Sequence, residues 1–120
     1  MTFVLQGIGA AKGIAIGRVR TIERGRPDVR EYELPKKAIR SEVARFKRAL
    51  KAAATELRQV KVKIPKNTAT DVAAFIDTHL LMLEDTALTS VPIDIIKDKH
   101  CNAEWALKLQ RDAVVSVFDL

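Results

Sequence analysis

KKAIRSEVARFKRALKAAATELRQVKVK, residues 36–63, is the stretch on which the fold turns. Its apolar side chains Ile39, Val43, Phe46, Leu50, Ala53 with Ala54, Leu57 and Val60 return every three or four residues, and Ile64 continues the series. That period gathers them on one stripe of an α-helix, and the stripe holds for about four heptads. No Gly or Pro interrupts it. Pro35 suits a first helical turn, where its missing N–H costs nothing, and Pro65 ends the run. The opposite face carries Lys36, Lys37, Arg40, Arg45, Lys47, Arg48, Lys51, Arg58, Lys61 and Lys63, interrupted by Glu42 and Glu56. No aromatic residue is interleaved with these bases. Such a face reads first as solvated surface and second as a nucleic-acid contact. Lys61 and Lys63 also complement the negative end of the helix dipole.

Beyond Pro65, Thr68 or Thr70 can cap a second helix running to about Glu84, with Asp71 in its first turn at the positive dipole end. A break at Asp85 and Thr86 leads to a third helix over about 87–99. Pro92 falls in its first turns, and Lys97, Lys99 and His100 at its C-terminal end. Asn102 is placed to N-cap a last helix over 103–118, with Ala106, Leu107, Ala113, Val114, Val117 and Phe118 on one face. The predicted fold class is mainly α: a helical-hairpin domain of three to four helices, preceded by a short β segment.

Charge singles out the second helix. From Asn67 to Ile96 there is no Lys or Arg, but there are Asp71, Asp77, Glu84, Asp85 and Asp94, in a chain with 21 basic residues and a formal net charge of +6. Within this window Phe75-Ile76, His79-Leu80 and Met82-Leu83 recur at helical spacing. Leu80, Leu81, Met82 and Leu83 fill about one full turn, so they cannot all face one core. Some must face a second helix or a partner.

The N-terminal residues are different in kind. Gly7, Gly9, Gly13 and Gly17 fall within eleven residues, around the β-prone runs Phe3-Val4-Leu5 and Ile14–Val19. Neither a dinucleotide fingerprint nor a P-loop is present, because Lys12 stands at the sixth position from Gly7 and no Gly-Lys-Ser/Thr occurs. A strand–turn–strand is expected. Two strands alone are marginal in water, so they belong to a sheet whose other strands lie elsewhere. Residues 26–35 connect, with a short strand possible at Val29–Leu34.

Several classes drop out. With 48% apolar residues the chain can bury a core and is not disordered. The single Cys101 rules out an intramolecular disulfide and fits a reducing cytoplasm. No apolar run approaches the roughly 18 residues of a membrane span, and no signal peptide is seen. His79 and His100 are the only histidines. Asp77, two residues from His79, points elsewhere on a helix. One His with one carboxylate closes no metal site, and no nucleophile–base pair is placed by pattern. No catalytic residue, metal ligand or cofactor is therefore assigned to these residues.

Three motifs together resemble the N-terminal part of Enzyme I, the phosphoenolpyruvate–protein phosphotransferase family of the bacterial sugar phosphotransferase system. The first is Gly7-Ile8-Gly9-Ala10-Ala11-Lys12-Gly13-Ile14-Ala15-Ile16-Gly17, similar to the family's Gly-Ile-x-Ala-Ser-Pro-Gly-Ile-Ala-x-Gly. The second is Phe75-x-x-x-His79-x-x-Met82-Leu83-Glu84-Asp85, and the third Asn102-Ala103-Glu104-Trp105-Ala106. The resemblance implies that residues 1–25 are the first strands of a phosphohistidine (swivelling) domain. It makes 26–35 a connector and 36–120 a helical domain that docks the phosphocarrier protein HPr, incomplete at its C-terminus. The enzymes of this family pass phosphate from phosphoenolpyruvate, with magnesium, through a histidine to HPr. The family's phosphorylated histidine lies in a Gly-Gly-x-x-Ser-His-type motif that does not occur here, so binding without catalysis is expected of these residues.

Carried over position by position, the docking surface would use Thr70, Asp71, Ala74, Thr78, His79, Leu81, Met82, Leu88 and Phe118. Acid would steer a basic partner and the apolar residues would supply contact area. Ala11-Lys12 departs from the usual Ser-Pro, and Thr70, Thr86 and Ala87 stand where relatives often have carboxylates, which thins the acidic patch. Two alternatives stay open: a nitrogen-branch or multiphosphoryl-transfer paralogue with another carrier, and a basic helical module binding nucleic acid. Neither nucleic acid nor membrane is expected as a partner of the favoured reading. Homodimerisation through the apolar edges at residues 3–19 and on the last helix is.

Overall fold

A computed structural model of the chain describes residues 2–68 and 70–119. Four helices follow one another: α1 (Lys36–Lys63), α2 (Thr70–Glu84), α3 (Thr86–Lys99) and α4 (Ala103–Phe118). α1 is the common support, meeting each of the other three; α3 lies between α2 and α4, which do not touch each other. The apolar stripe of α1 explains this. Phe46 is buried, with Ile39, Val43 and Leu50 packed around it, and all meet Ile96, Cys101, Ala103 and Ala106 from the α3–α4 side. The fully buried core therefore sits at the N-terminal half of α1. The C-terminal half carries α2, which has no fully buried residue.

The breaks between helices have local causes. Pro65 follows the end of α1. Thr70 is the first helical residue of α2, and the cap position before it lies outside the described residues. Asp85 caps α3, its Oδ1 accepting from the Ala87 N–H at 2.7 Å. Pro92 falls in the second turn of α3, within the first turns as expected, and is buried there. α3 stops at His100, whose φ of 51° is the left-handed conformation that most often ends a helix.

Asn102 does occupy the N-cap position of α4, but its side chain does not cap. Glu42 of α1 does that work: its Oε1 accepts from the Ala103 N–H at 2.8 Å. Glu42 is buried. Its carboxylate also takes two bonds from Arg45, at 2.6 and 3.0 Å, and Arg45 reaches on to Glu104 at 2.8 Å. The residue read as an interruption in a basic face is thus the tie between α1 and α4.

Arg45 holds both carboxyls below their ordinary value of 4.5, Glu104 at about 2. For groups whose pKa is lower in the folded state, the unfolded chain binds more protons between the two values. The stabilisation is complete above about pH 4.5 and is lost as pH falls towards about 2. Urea midpoints measured across that window are expected to drop with pH, and to drop less in Glu104→Gln. A flat profile in the parent chain would show that the brace carries no stability.

Ahead of α1, residues 30–34 form a strap over the α3–α4 turn. Glu33 pairs with Cys101 in a single antiparallel bridge, in place of the short strand expected at Val29–Leu34. The Leu34 N–H donates to the His100 carbonyl at 2.7 Å and the Asn102 N–H to that of Tyr32 at 3.3 Å. The Asn102 side chain completes the strap. Its Oδ1 accepts from the Tyr32 N–H at 3.1 Å and its Nδ2 donates to the Arg30 carbonyl at 3.0 Å.

Residues 2–28 are exposed throughout, and no strand forms among the described residues. The two β-prone runs have no hydrogen-bonded neighbour, and a lone extended segment cannot satisfy its backbone as a strand. The glycine turn survives as a bend at 11–13, where Gly13 has a φ of 134°, a conformation other residues rarely adopt.

Candidate functional site

Helical geometry sorts the α2 residues into two faces. Ala73, Ile76, Asp77, Leu80 and Leu83 are half-buried and recur at three and four, which is the side that meets α1. Every other residue of α2 is exposed. Thr70, Asp71, Ala74, Thr78, His79, Leu81 and Met82, all expected from the sequence, therefore lie on the outer face. Phe75 joins them at 67% exposed, next to Leu81 at 68% and Met82 at 49%. Apolar side chains so placed contribute nothing to the bundle's own core. Sequence periodicity had grouped Phe75 with Ile76 as one apolar position; only Ile76 turns inward.

Asp71, Ala74, Phe75 and Thr78 line a shallow depression on this face. Beside it runs a groove of about 420 Å³. α1 contributes Ala53, Glu56, Leu57 and Val60, α2 contributes His79, Met82 and Leu83, and α3 contributes Leu88. Leu88 is thus joined to the α2 residues through the groove. Phe118 is not. It stands 82% exposed in the last turn of α4, a helix that does not touch α2, where Val115, Ser116 and Asp119 lie about Arg26.

The acid of the window is largely spent inside the bundle. Lys61 of α1 pairs with Asp77, Arg58 approaches Glu84 at 4.0 Å, and Asp85 caps α3. These pairs depend on how α1 and α2 are set against each other, which no reading of either helix alone could supply. Asp71 has no ion-pair partner among the described residues. His79 makes no pair with Asp77 or Asp85; its Nδ1 donates to the Phe75 carbonyl at 2.6 Å, one helical turn back.

His100 is half-buried at the helix junction, and burial pushes the Cys101 thiol up. Among the described residues no group of three His, Cys, Asp or Glu converges to hold a metal. The described residues do not fit a magnesium site. No helix among the described residues is long and apolar enough to cross a membrane.

Comparison with known proteins bears on this face. The chain is 34% identical over 119 residues to the phosphoenolpyruvate-protein phosphotransferase of Cupriavidus necator, a match covering 99% of this chain and 20% of that protein. It is 36% identical over 115 residues to the protein of the same name from Listeria monocytogenes, covering 96% and 20%. Against that from Bacillus subtilis it is 33% identical over 115 residues, with the same coverage. The chain thus spans about a fifth of the length of the curated relatives it matches. No solved structure matches it significantly. The family described as PEP-utilising enzyme, N-terminal, matches residues 6–120. A match that starts in the glycine-rich motif and takes in all four helices leaves one assignment: the chain belongs to the PEP-utilising enzyme N-terminal family, as the N-terminal part of Enzyme I.

Proposed function

We propose that the outer face of α2, with the groove beside it, docks the phosphocarrier protein HPr. The whole protein would be a phosphoenolpyruvate–protein phosphotransferase of the cytoplasm, passing phosphate through a histidine to HPr for sugar uptake. The observation that carries this reading is the exposure of Phe75, Leu81 and Met82 on a helix whose inner face is already covered. A transient carrier calls for a modest interface of this kind, with apolar contacts at its centre and charge at its rim. In this reading residues 1–25 begin the phosphohistidine domain, 26–35 connect, and 36–120 dock the carrier. Neither His79 nor His100 is given a chemical role, and binding without catalysis is what these residues supply. The thin acidic rim favours a second reading, a nitrogen-branch or multiphosphoryl-transfer paralogue whose carrier is less basic.

The test is a titration of isotope-labelled HPr from the same organism with this chain, followed by chemical shifts at two salt concentrations. Saturable shifts are expected. Met82→Ala should weaken binding by about tenfold, the size of a buried interface anchor. Asp71→Lys should slow association and flatten the salt dependence. Absence of shifts at saturating protein would overturn HPr as the partner.

A further inference from the structure

The groove beside α2 is apolar except at one point. Ala53, Leu57 and Val60 form one wall and Met82, Leu83 and Leu88 the other. At its rim stand the Glu56 carboxylate, which only accepts hydrogen bonds, and the His79 ring, whose Nδ1 meets the Phe75 carbonyl. Glu56 is exposed and has no ion-pair partner among the described residues. Asp77, Glu84 and Asp85 are all engaged within the bundle, so Glu56 is the carboxylate left at the groove.

An apolar slot ending in an unpaired carboxylate has a definite complement. It must be a side chain with a hydrocarbon stem and a cationic, donor-only head, which describes arginine and lysine. We propose that this groove is a socket for an arginine or lysine side chain of the docked carrier, and that Glu56 is the residue that selects it. The inference rests on the docking reading for its partner but not for its chemistry. The stem lies between Leu57 and Met82, and the head meets Glu56. A neutral apolar side chain would fill the slot but gain no charge-assisted bond from Glu56, and so would bind less tightly. α1 then contributes to recognition, although none of the docking residues expected from the sequence lies on it.

Two titrations separate this proposal from the docking reading. The first uses labelled HPr against the full chain and Glu56→Gln. Gln keeps the shape and removes the charge, and a roughly fivefold to tenfold loss of affinity is expected for one charge-assisted contact at a rim. HPr that binds both forms equally, while Met82→Ala still weakens it, overturns the socket and leaves docking intact.

The second titration needs no carrier. Acetyl-Ala-Arg-Ala-amide and its citrulline counterpart, equal in shape but uncharged, are added to the labelled chain. The arginine peptide is expected to shift the Met82 methyl and the His79 ring several-fold more than citrulline, and to lose that advantage in Glu56→Gln. Such shifts without any HPr binding would uphold the socket and refute its partner. Equal shifts for the two peptides, or a difference indifferent to Glu56→Gln, would overturn the socket outright.

Discussion

Glu42→Ala is expected to lower the unfolding free energy by about 3 kcal/mol, the largest single effect anticipated for this chain. The substitution removes the acceptor of the Ala103 N–H, which is buried at the start of α4 and has no other partner to turn to. It also strips Arg45 of two bonds. Arg45 is half-exposed and keeps Glu104, so its own loss is moderated by water, which holds the total below the upper range for a broken buried pair. Glu42→Gln retains an acceptor for Ala103 and should cost about 1 kcal/mol. Urea unfolding of the two variants checks both numbers. A loss in Glu42→Ala no larger than the ~0.5 kcal/mol of an ordinary surface change would refute the tie between α1 and α4.

Asn102→Ala should cost about 2 kcal/mol and, more tellingly, should do so locally. Asn102 is 2% exposed, and it serves the connector as well as its own helix, where its Nδ2 also donates to Glu104 at 3.1 Å. Without its side chain the Tyr32 N–H and the Arg30 carbonyl lose their partners, while the backbone bonds Leu34–His100 and Asn102–Tyr32 remain. Exchange of the Tyr32 amide is expected to quicken by at least tenfold with the core amides of α4 little changed. Uniform acceleration across all four helices would mean that the strap is part of the global fold and not a separate unit.

Helix placement was the most legible part of the sequence. The first helix is observed at Lys36–Lys63 as its stripe and flanking prolines predict, and the break at Asp85 and the last helix at Ala103–Phe118 follow the same logic. What periodicity could not deliver were contacts between elements far apart in sequence. Glu42 looked like a gap in a basic face because its partner, Ala103, is 61 residues away. Asn102 looked like a cap because Asn at that position usually is one; the strap competed for its side chain and won. The apolar runs in residues 3–19 have strand propensity, but propensity acts only where a neighbouring strand is present.

The candidate site divides in the same way. A helical wheel suffices to place Asp71, Ala74, Thr78, Leu81 and Met82 on one face. It cannot say which face a second helix will cover, so Phe75 was passed over. Nor could it bring Glu56 and Leu88 to the same groove, since that requires α1, α2 and α3 to be assembled. Phe118, included by resemblance, lies on a helix apart from α2.

The position of the core in the chain dictates when this domain can exist during its own synthesis. Phe46 emerges from the ribosome early, but Ile96, Cys101, Ala103 and Ala106, against which it packs, come 50 to 60 residues later. Until residue 106 is outside the exit tunnel, α1 is a helix with a bare apolar stripe and a carboxylate lacking its N–H. Folding therefore begins only once α4 has started to appear, and the nascent chain must be kept from aggregating through that stripe until then. A ribosome stalled before Cys101 should hold a protease-sensitive chain, and one stalled far enough beyond α4 to clear the tunnel a resistant one.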